Sequence, residues 1–426
     1  MTKRTGTPGA DDILRKELAN GMILLARENE SSRTAAISAF IPGGDMTNPQ
    51  GKEGLSGLMA SLLTSGTGTR DYQEISSFLE TIGASITFSS GMHGLSMRIS
   101  CLAEDFEPVL SLAAEIVQDP TFPEAKFQQN RDQMTAALRY RAHDTGEMAS
   151  LLFRKLYYGD HPYAVDGMGT VRTLTGLTRG DVETQFRSAL RTAGTILAFS
   201  GGIPTERVLE SVAAAFGSWN AAPTLSERAD PVVGAPSAAR EHYEIPGMSQ
   251  LNYVVGFAAP AILDPDYNAL LLGNCVLGQF GMMGRIGNVV RDQNGLAYSI
   301  SSALNPLPLG GTWLIQAGVN PDNFEKALAL TLSEARRYLG EPVSAEELAD
   351  VKSFQNGVLP LVLESNRGIS SALLRIERCG LGLDYYREIG GKLAGIGAEE
   401  ILDASRRYMK LDRAVIASAG TLERGA

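Results

Sequence analysis

The same order of elements is written twice in this chain, and that duplication constrains its fold more than any other feature. In the first half, residues 34–41 read as a strand, 49–54 as a turn and 55–65 as an apolar helix. A second helix over 72–82 runs into Gly83 and two alternating strands, 84–89 and 95–102. Residues 106–117 are helical by their apolar spacing, and 123–143 form a long amphipathic helix opened by Pro123 and Glu124. The second half gives this order again. A strand at 251–257 is followed by helices over 265–277 and 283–292, then Gly295, strands at 297–303 and 312–319, and a helix at 324–339. Ser344-Ala345-Glu346-Glu347 caps a further long helix. Equivalent positions stay roughly 212 to 222 residues apart, from the pair Leu58 and Leu270 to the pair Glu124 and Glu346. The late strands 195–200 and 414–419 match too, each leading into a glycine, Gly201 and Gly420.

A chain of 426 residues is too long for one ordinary core, and the duplication divides it naturally in two. The expected boundaries are an N-terminal domain over 1–221, an alanine-, proline- and serine-rich linker over 222–239, and a C-terminal domain over 240–426. Because strands group beside helices rather than alternating strictly with them, each half is expected to be an α+β unit.

Elimination narrows the chemistry. The four histidines, His93, His143, His161 and His242, are nowhere within a helical turn of one another, so no paired metal-ligand motif exists. Phosphate-cradling P-loops and nucleophile elbows are missing as well. A net charge of −10 argues against nucleic acid or an anionic membrane surface as partner. No apolar run approaches the roughly 18 to 20 residues that a membrane helix needs. Cys101, Cys275 and Cys379 read as buried thiols of a reducing compartment. With a polar N-terminus and no apolar leader core, the expected location is cytoplasmic, or periplasmic if a leader has been removed. The run His161-Pro162-Tyr163 reads as a structural turn, and the arginines Arg131, Arg139 and Arg141 as a solvated helix face.

Two segments stand out. One is the helix Gly54-Leu-Ser-Gly57-Leu-Met-Ala60-Ser61-Leu-Leu-Thr-Ser-Gly66-Thr67, with large apolar side chains on one side and Gly57, Ala60 and Ser61 on the other. The other runs from Gly281 through Gly284 and Arg291-Asp-Gln-Asn-Gly295-Leu-Ala-Tyr298. An arginine and a tyrosine on either side of a tight turn can converge on one anionic or carbonyl group. A helix-capping arginine and a half-buried strand tyrosine explain the pair equally well.

With the duplicated halves, the long helix from Pro123, the stretch His161-Pro-Tyr163 with Gly167 and Gly169-Thr170, and Gly295-Leu-Ala-Tyr298-Ser, the chain resembles the pitrilysin/insulinase zinc metallopeptidases. The likeness is to their short bacterial branch, similar to mitochondrial processing peptidase, and it covers roughly residues 18–420. It implies two homologous domains, each a mostly antiparallel sheet with helices packed on it, meeting as the halves of a clamshell. Active members carry H-x-x-E-H, two histidines binding zinc and a glutamate activating water. On this frame those three positions are Gly57, Ala60 and Ser61, and the third ligand falls near Ala137, where there is no carboxylate. The chain is therefore expected to bind no zinc and to hydrolyse no peptide alone.

The resemblance implies a non-catalytic subunit of a heterodimeric zinc peptidase. Arg291 and Tyr298 would hold the peptide substrate, while zinc belongs to a homologous partner subunit. It also allows a structural or assembly role, like that of respiratory-complex core proteins, and a homodimer when the chain is isolated. The short glycine stretch Gly278, Gly281 and Gly284 lies where the related non-catalytic subunit carries a longer mobile loop.

Overall fold

The computed structural model describes residues 6–220, 237–280 and 284–422. The first repeat opens with strands β1 (Leu14–Glu17), β2 (Ile23–Glu28) and β3 (Thr34–Pro42). Helices α1 (Leu55–Leu62) and α2 (Tyr72–Thr81) lead into β4 (Ser85–Ser90) and β5 (Gly94–Leu102). There follow α3 (Phe106–Gln118), α4 (Glu124–Arg141), α5 (Thr145–Tyr158), α6 (Val171–Gly176) and α7 (Arg179–Ala189). Strand β6 (Ile196–Gly201) and α8 (Thr205–Phe216) close it.

The second repeat runs β7 (Ala239–Glu244), β8 (Leu251–Ala259), α9 (Tyr267–Asn274), α10 (Gly284–Gly287), β9 (Ala297–Asn305) and β10 (Gly311–Val319). Helices α11 (Phe324–Tyr338), α12 (Ala345–Val362), α13 (Asn366–Cys379), α14 (Tyr385–Gly395) and α15 (Ala398–Tyr408) precede β11 (Val415–Gly420).

The sheets carry the duplication into three dimensions. One has the order β1-β2-β6-β3-β5-β4, the other β7-β11-β8-β10-β9. Apart from the extra β1 the two orders are the same. In each sheet one parallel pair, β2 with β6 or β7 with β11, joins an otherwise antiparallel ladder. The chain is thus an α+β protein of two duplicated sheets. The central strands β3 and β8 are buried over most of their length, as strands covered on both faces must be.

The compact units are not the contiguous halves expected. Unit 1 comprises Met1–Leu138, Asp166–Glu227 and Leu359–Glu388, and unit 2 comprises Arg139–Val165, Arg228–Val358 and Ile389–Ala426. Each repeat lends the other unit its helix after the long one: α5 packs on β8 and β11, α13 on β3 and β6. Both helices begin at a side-chain cap, Asp144 accepting from the Gly146 and Glu147 amides and Ser365 from that of Gly368. In unit 2, Phe153 of α5 lies over Gly256 of β8, where any Cβ would fall 2.1 Å from the Phe153 ring. Phe153 stacks on Tyr157, and Thr145 donates to Asn252 at 2.7 Å. In unit 1, Asn366 of α13 donates to Ser32 and Thr34 and accepts from Ser200, while Ser370 meets Ser38 at 2.9 Å. The expected linker, residues 222–239, lies outside the described residues apart from its last three, and Ala239 already opens β7.

Another expectation is corrected in the stretch Tyr267–Gln293, which is apolar and long enough, by length and composition, to cross a membrane. Leu270, Leu272, Cys275, Leu277, Ile286 and Val290 are buried in the protein, so the apolarity is that of a core. The helix is also broken, since Phe280 is extended and Gly284 has a left-handed φ of 63°. Cys101 and Cys275 are buried, and burial pushes the Cys101 thiol up to about 12; Cys379 is only half-buried.

Candidate functional site

Two places correspond to the segments singled out by sequence, one in each unit. In unit 1, α1 is held by Leu55, Leu58, Met59 and Leu62, all essentially inaccessible. The small residues meet α4. A Cβ on Gly57 would sit 3.5 Å from the Met134 Cε, and the Asn130 amide donates to the Ser61 carbonyl and hydroxyl at 3.0 and 3.1 Å. Ser61 in turn donates to the Leu58 carbonyl, and Ala60 is buried.

The position facing Gly57 across the helices is therefore Met134. Ala137, where sequence spacing placed a third ligand, is exposed. A thioether, an amide and a hydroxyl bound to its own helix do not form a zinc site, which needs imidazole, thiolate or carboxylate. Among the described residues, no three His, Cys, Asp or Glu side chains group to hold a metal. Zinc does not fit here. Elemental analysis of the purified chain is expected to find no stoichiometric zinc; one tightly held ion per chain would overturn that.

In unit 2, Arg291 lies within a π-helical turn, Asn288–Gln293. The chain turns sharply at Gly295, whose φ of 62° is left-handed. The Gly295 amide donates to the Arg291 carbonyl at 2.8 Å, the Leu296 amide to that of Val290 at 3.0 Å, and the Asn294 side chain to Val289 at 2.8 Å. These bonds fix the corner between helix and strand. Beyond it, Val319 of β10 pairs with Ala297 and Gly318 with Ser299, so Tyr298 is an extra, bulged residue with no partner across the ladder. β9 is the edge strand of its sheet.

A bulge on an edge strand re-aims a side chain out of the alternating pattern, and Tyr298 is 86% exposed. That overturns the half-buried strand tyrosine. Arg291, 30% exposed, lies 3.9 Å from Asp292. The two residues thus flank one corner, which the bonds around Gly295 hold in shape.

Sequence reasoning missed the brace behind this corner. Arg285 of α10 is about nine-tenths buried and forks onto Glu347 with two bonds of 2.6 Å. Glu347 also accepts from the Ser344 amide, closing the capping box of α12. The Ser-x-x-Glu spacing signalled the cap; nothing in it signalled the arginine.

The Arg285 bonds, with the Ser344 bonds, hold the Glu347 carboxyl at about 2, below its ordinary 4.5. A depressed carboxyl stabilises the fold above pH 4.5 and loses that contribution as pH falls towards 2. Since Glu347 is one-third exposed, solvent screening reduces the contribution to about 1 to 2 kcal/mol. Glu347→Gln is expected to lower stability by that amount at neutral pH. The gap to wild type should narrow through the same window in acid-titrated urea unfolding; a gap constant with pH would refute the assignment. Gly278 and Gly284 are packing residues, because a Cβ on either would lie within 2.7 Å of neighbouring main-chain atoms. Gly281 lies outside the described residues.

Comparisons with known proteins identify the family of both repeats. A model of the insulinase family (peptidase family M16) matches residues 23–157, and one of the peptidase M16 inactive domain matches residues 176–354. An uncharacterized zinc protease, YmxG, of Bacillus subtilis is 23% identical over 95% of this chain and 97% of its own length. A Helicobacter pylori relative described as a non-peptidase homolog is 21% identical over 91% of this chain and 89% of its own.

Among solved structures, a peptidase M16 inactive domain from Pseudomonas fluorescens superposes with a TM-score of 0.90 at 25% identity, covering 96% of this chain and 98% of that one. A Helicobacter pylori protease shares the fold, with a TM-score of 0.86 at 18% identity over 97% of this chain and 100% of that one. With both repeats matched and Gly57, Ala60 and Ser61 standing at the H-x-x-E-H positions of α1, the chain belongs to the pitrilysin/insulinase (M16) peptidase family as an inactive-type member.

Proposed function

We propose that this chain is the substrate-holding, non-catalytic subunit of a heterodimeric zinc peptidase. The observation that carries the reading is the corner at Gly295. A protein with no use for that corner gains nothing from a tyrosine 86% exposed on a bulged edge strand, one turn beyond an arginine. A planar guanidinium and a phenolic hydroxyl are donors suited to a peptide carbonyl or C-terminal carboxylate. Zinc chemistry comes from a homologous partner bearing H-x-x-E-H. Arg291 and Tyr298 bind and orient the peptide backbone and donate to the oxygen on which charge develops.

The test is reconstitution with such a homologue. Peptide hydrolysis is expected from the mixture and from neither subunit alone. Should the partner alone cleave as fast as the mixture, the chain is a structural or assembly subunit instead.

A further inference from the structure

Among the described residues, the sheet of unit 1 has one strand more than that of unit 2. β1 lies outside β2 at the sheet edge, whereas β7, the counterpart of β2, is the edge strand of its sheet among the described residues. The segment leading into β1, together with β1 itself, is bonded along its length to the helices that the C-terminal repeat lends to this unit. Arg15 forks onto Glu377 of α13 at 2.9 and 2.7 Å. The Ala10 amide donates to Asp384 at 2.9 Å. Arg387 of α14 pairs with Asp11 at 2.6 Å, lies 3.6 Å from Asp12 and donates to the Thr7 carbonyl at 3.0 Å. The Arg387 guanidinium lies close over Gly9, where a Cβ would sit 2.1 Å from its carbon and push the side chain aside.

The inner end is anchored in the sheet. Asp12 pairs with Arg27 of β2 at 2.7 Å, with side chains 9% and 4% exposed, and Arg27 also donates to the Gly6 carbonyl. Charges alternate to match: acids on the strap meet Arg387, and a base on the strap meets Glu377.

We propose that residues 6–17 form a latch that keeps α13 and the first turn of α14 seated in unit 1. Both helices come from the distant repeat, and their retention therefore depends on the chain's N-terminus as well as on packing against β3 and β6. The ion pairs that make the latch are mostly part-exposed, so it is a release point sensitive to salt.

Hydrogen exchange of the full chain tests this. Arg387→Ala cuts the Asp11, Asp12 and Thr7 contacts without opening a cavity, since its side chain is 37% exposed. Amides over 366–388 are expected to exchange about tenfold faster, with β8 and β10 unchanged. Arg15→Ala, which severs the direct pair to α13, is expected to shift the same segment. Raising salt to about 0.5 M should do so in the unaltered protein. If residues 8–17 loosen in either variant while 366–379 keep their original rates, or if neither segment moves, the latch does not exist.

Discussion

Peptide hydrolysis by the reconstituted pair is expected to fall by about 10²- to 10³-fold when Arg291 of this chain becomes alanine. That is the usual cost, about 2 to 4 kcal/mol, of losing one preorganised charge-assisted donor from the transition state. Tyr298→Phe, which removes only a hydroxyl, should fall in the same direction. Neither side chain belongs to the core, so assembly measured by size exclusion and the partner's zinc content should stay unchanged. The decisive quantity is kcat/KM of complexes shown to be intact. Wild-type rates from both mutant complexes would leave this chain as a scaffold.

Phe153→Ala is expected to destabilise unit 2 by about 3 to 5 kcal/mol, the range for deleting a large buried aromatic. Phe153 is 2% exposed and stacks on Tyr157 at 5.4 Å between ring centroids. Gly256 beneath it offers no atoms to fill the void. A protein of two units need not unfold in one step, so the measurement should be local. Hydrogen exchange in β8 and β11 should accelerate strongly. Since Phe153 lies in the N-terminal half of the sequence, loosening of β3 and β5 instead would show that α5 belongs with its own repeat.

That the two sheets share one strand order was legible from the repeat itself, because elements recurring in one order with one spacing can be satisfied by the same sheet twice. Membership of α5 and α13 was not. Ala149, Phe153 and Tyr157 recur at helical spacing and announce a buried stripe, but periodicity is silent about which sheet covers it. That choice rests on Gly256, about a hundred residues away, whose missing side chain makes the only seat the phenyl ring needs. The vacancy at Gly57, Ala60 and Ser61 was readable directly, since ligand chemistry is a matter of residue type. Tyr298 was ambiguous, since the alternating pattern that predicts its burial fails at the bulge, which is a property of pairing with Gly318 and Val319.

The exchanged helices also impose an order on synthesis. Unit 1 has its sheet once β6 is made, yet it lacks its covering helix α13 until the ribosome has passed Cys379. At about 5 to 20 residues per second, the interval from the end of α8 is roughly 10 to 35 s. During that time the face awaiting α13 is open to water and to other chains. Its central residues are Ala36 and Ser38 of β3, set opposite Ser200 and Ala198 of β6. Serine and alanine give a bare sheet little to stick with. The same serines later bond Ser370 and Asn366 when the helix arrives, so the side chains that leave the centre of the waiting face polar are the ones that receive its last element.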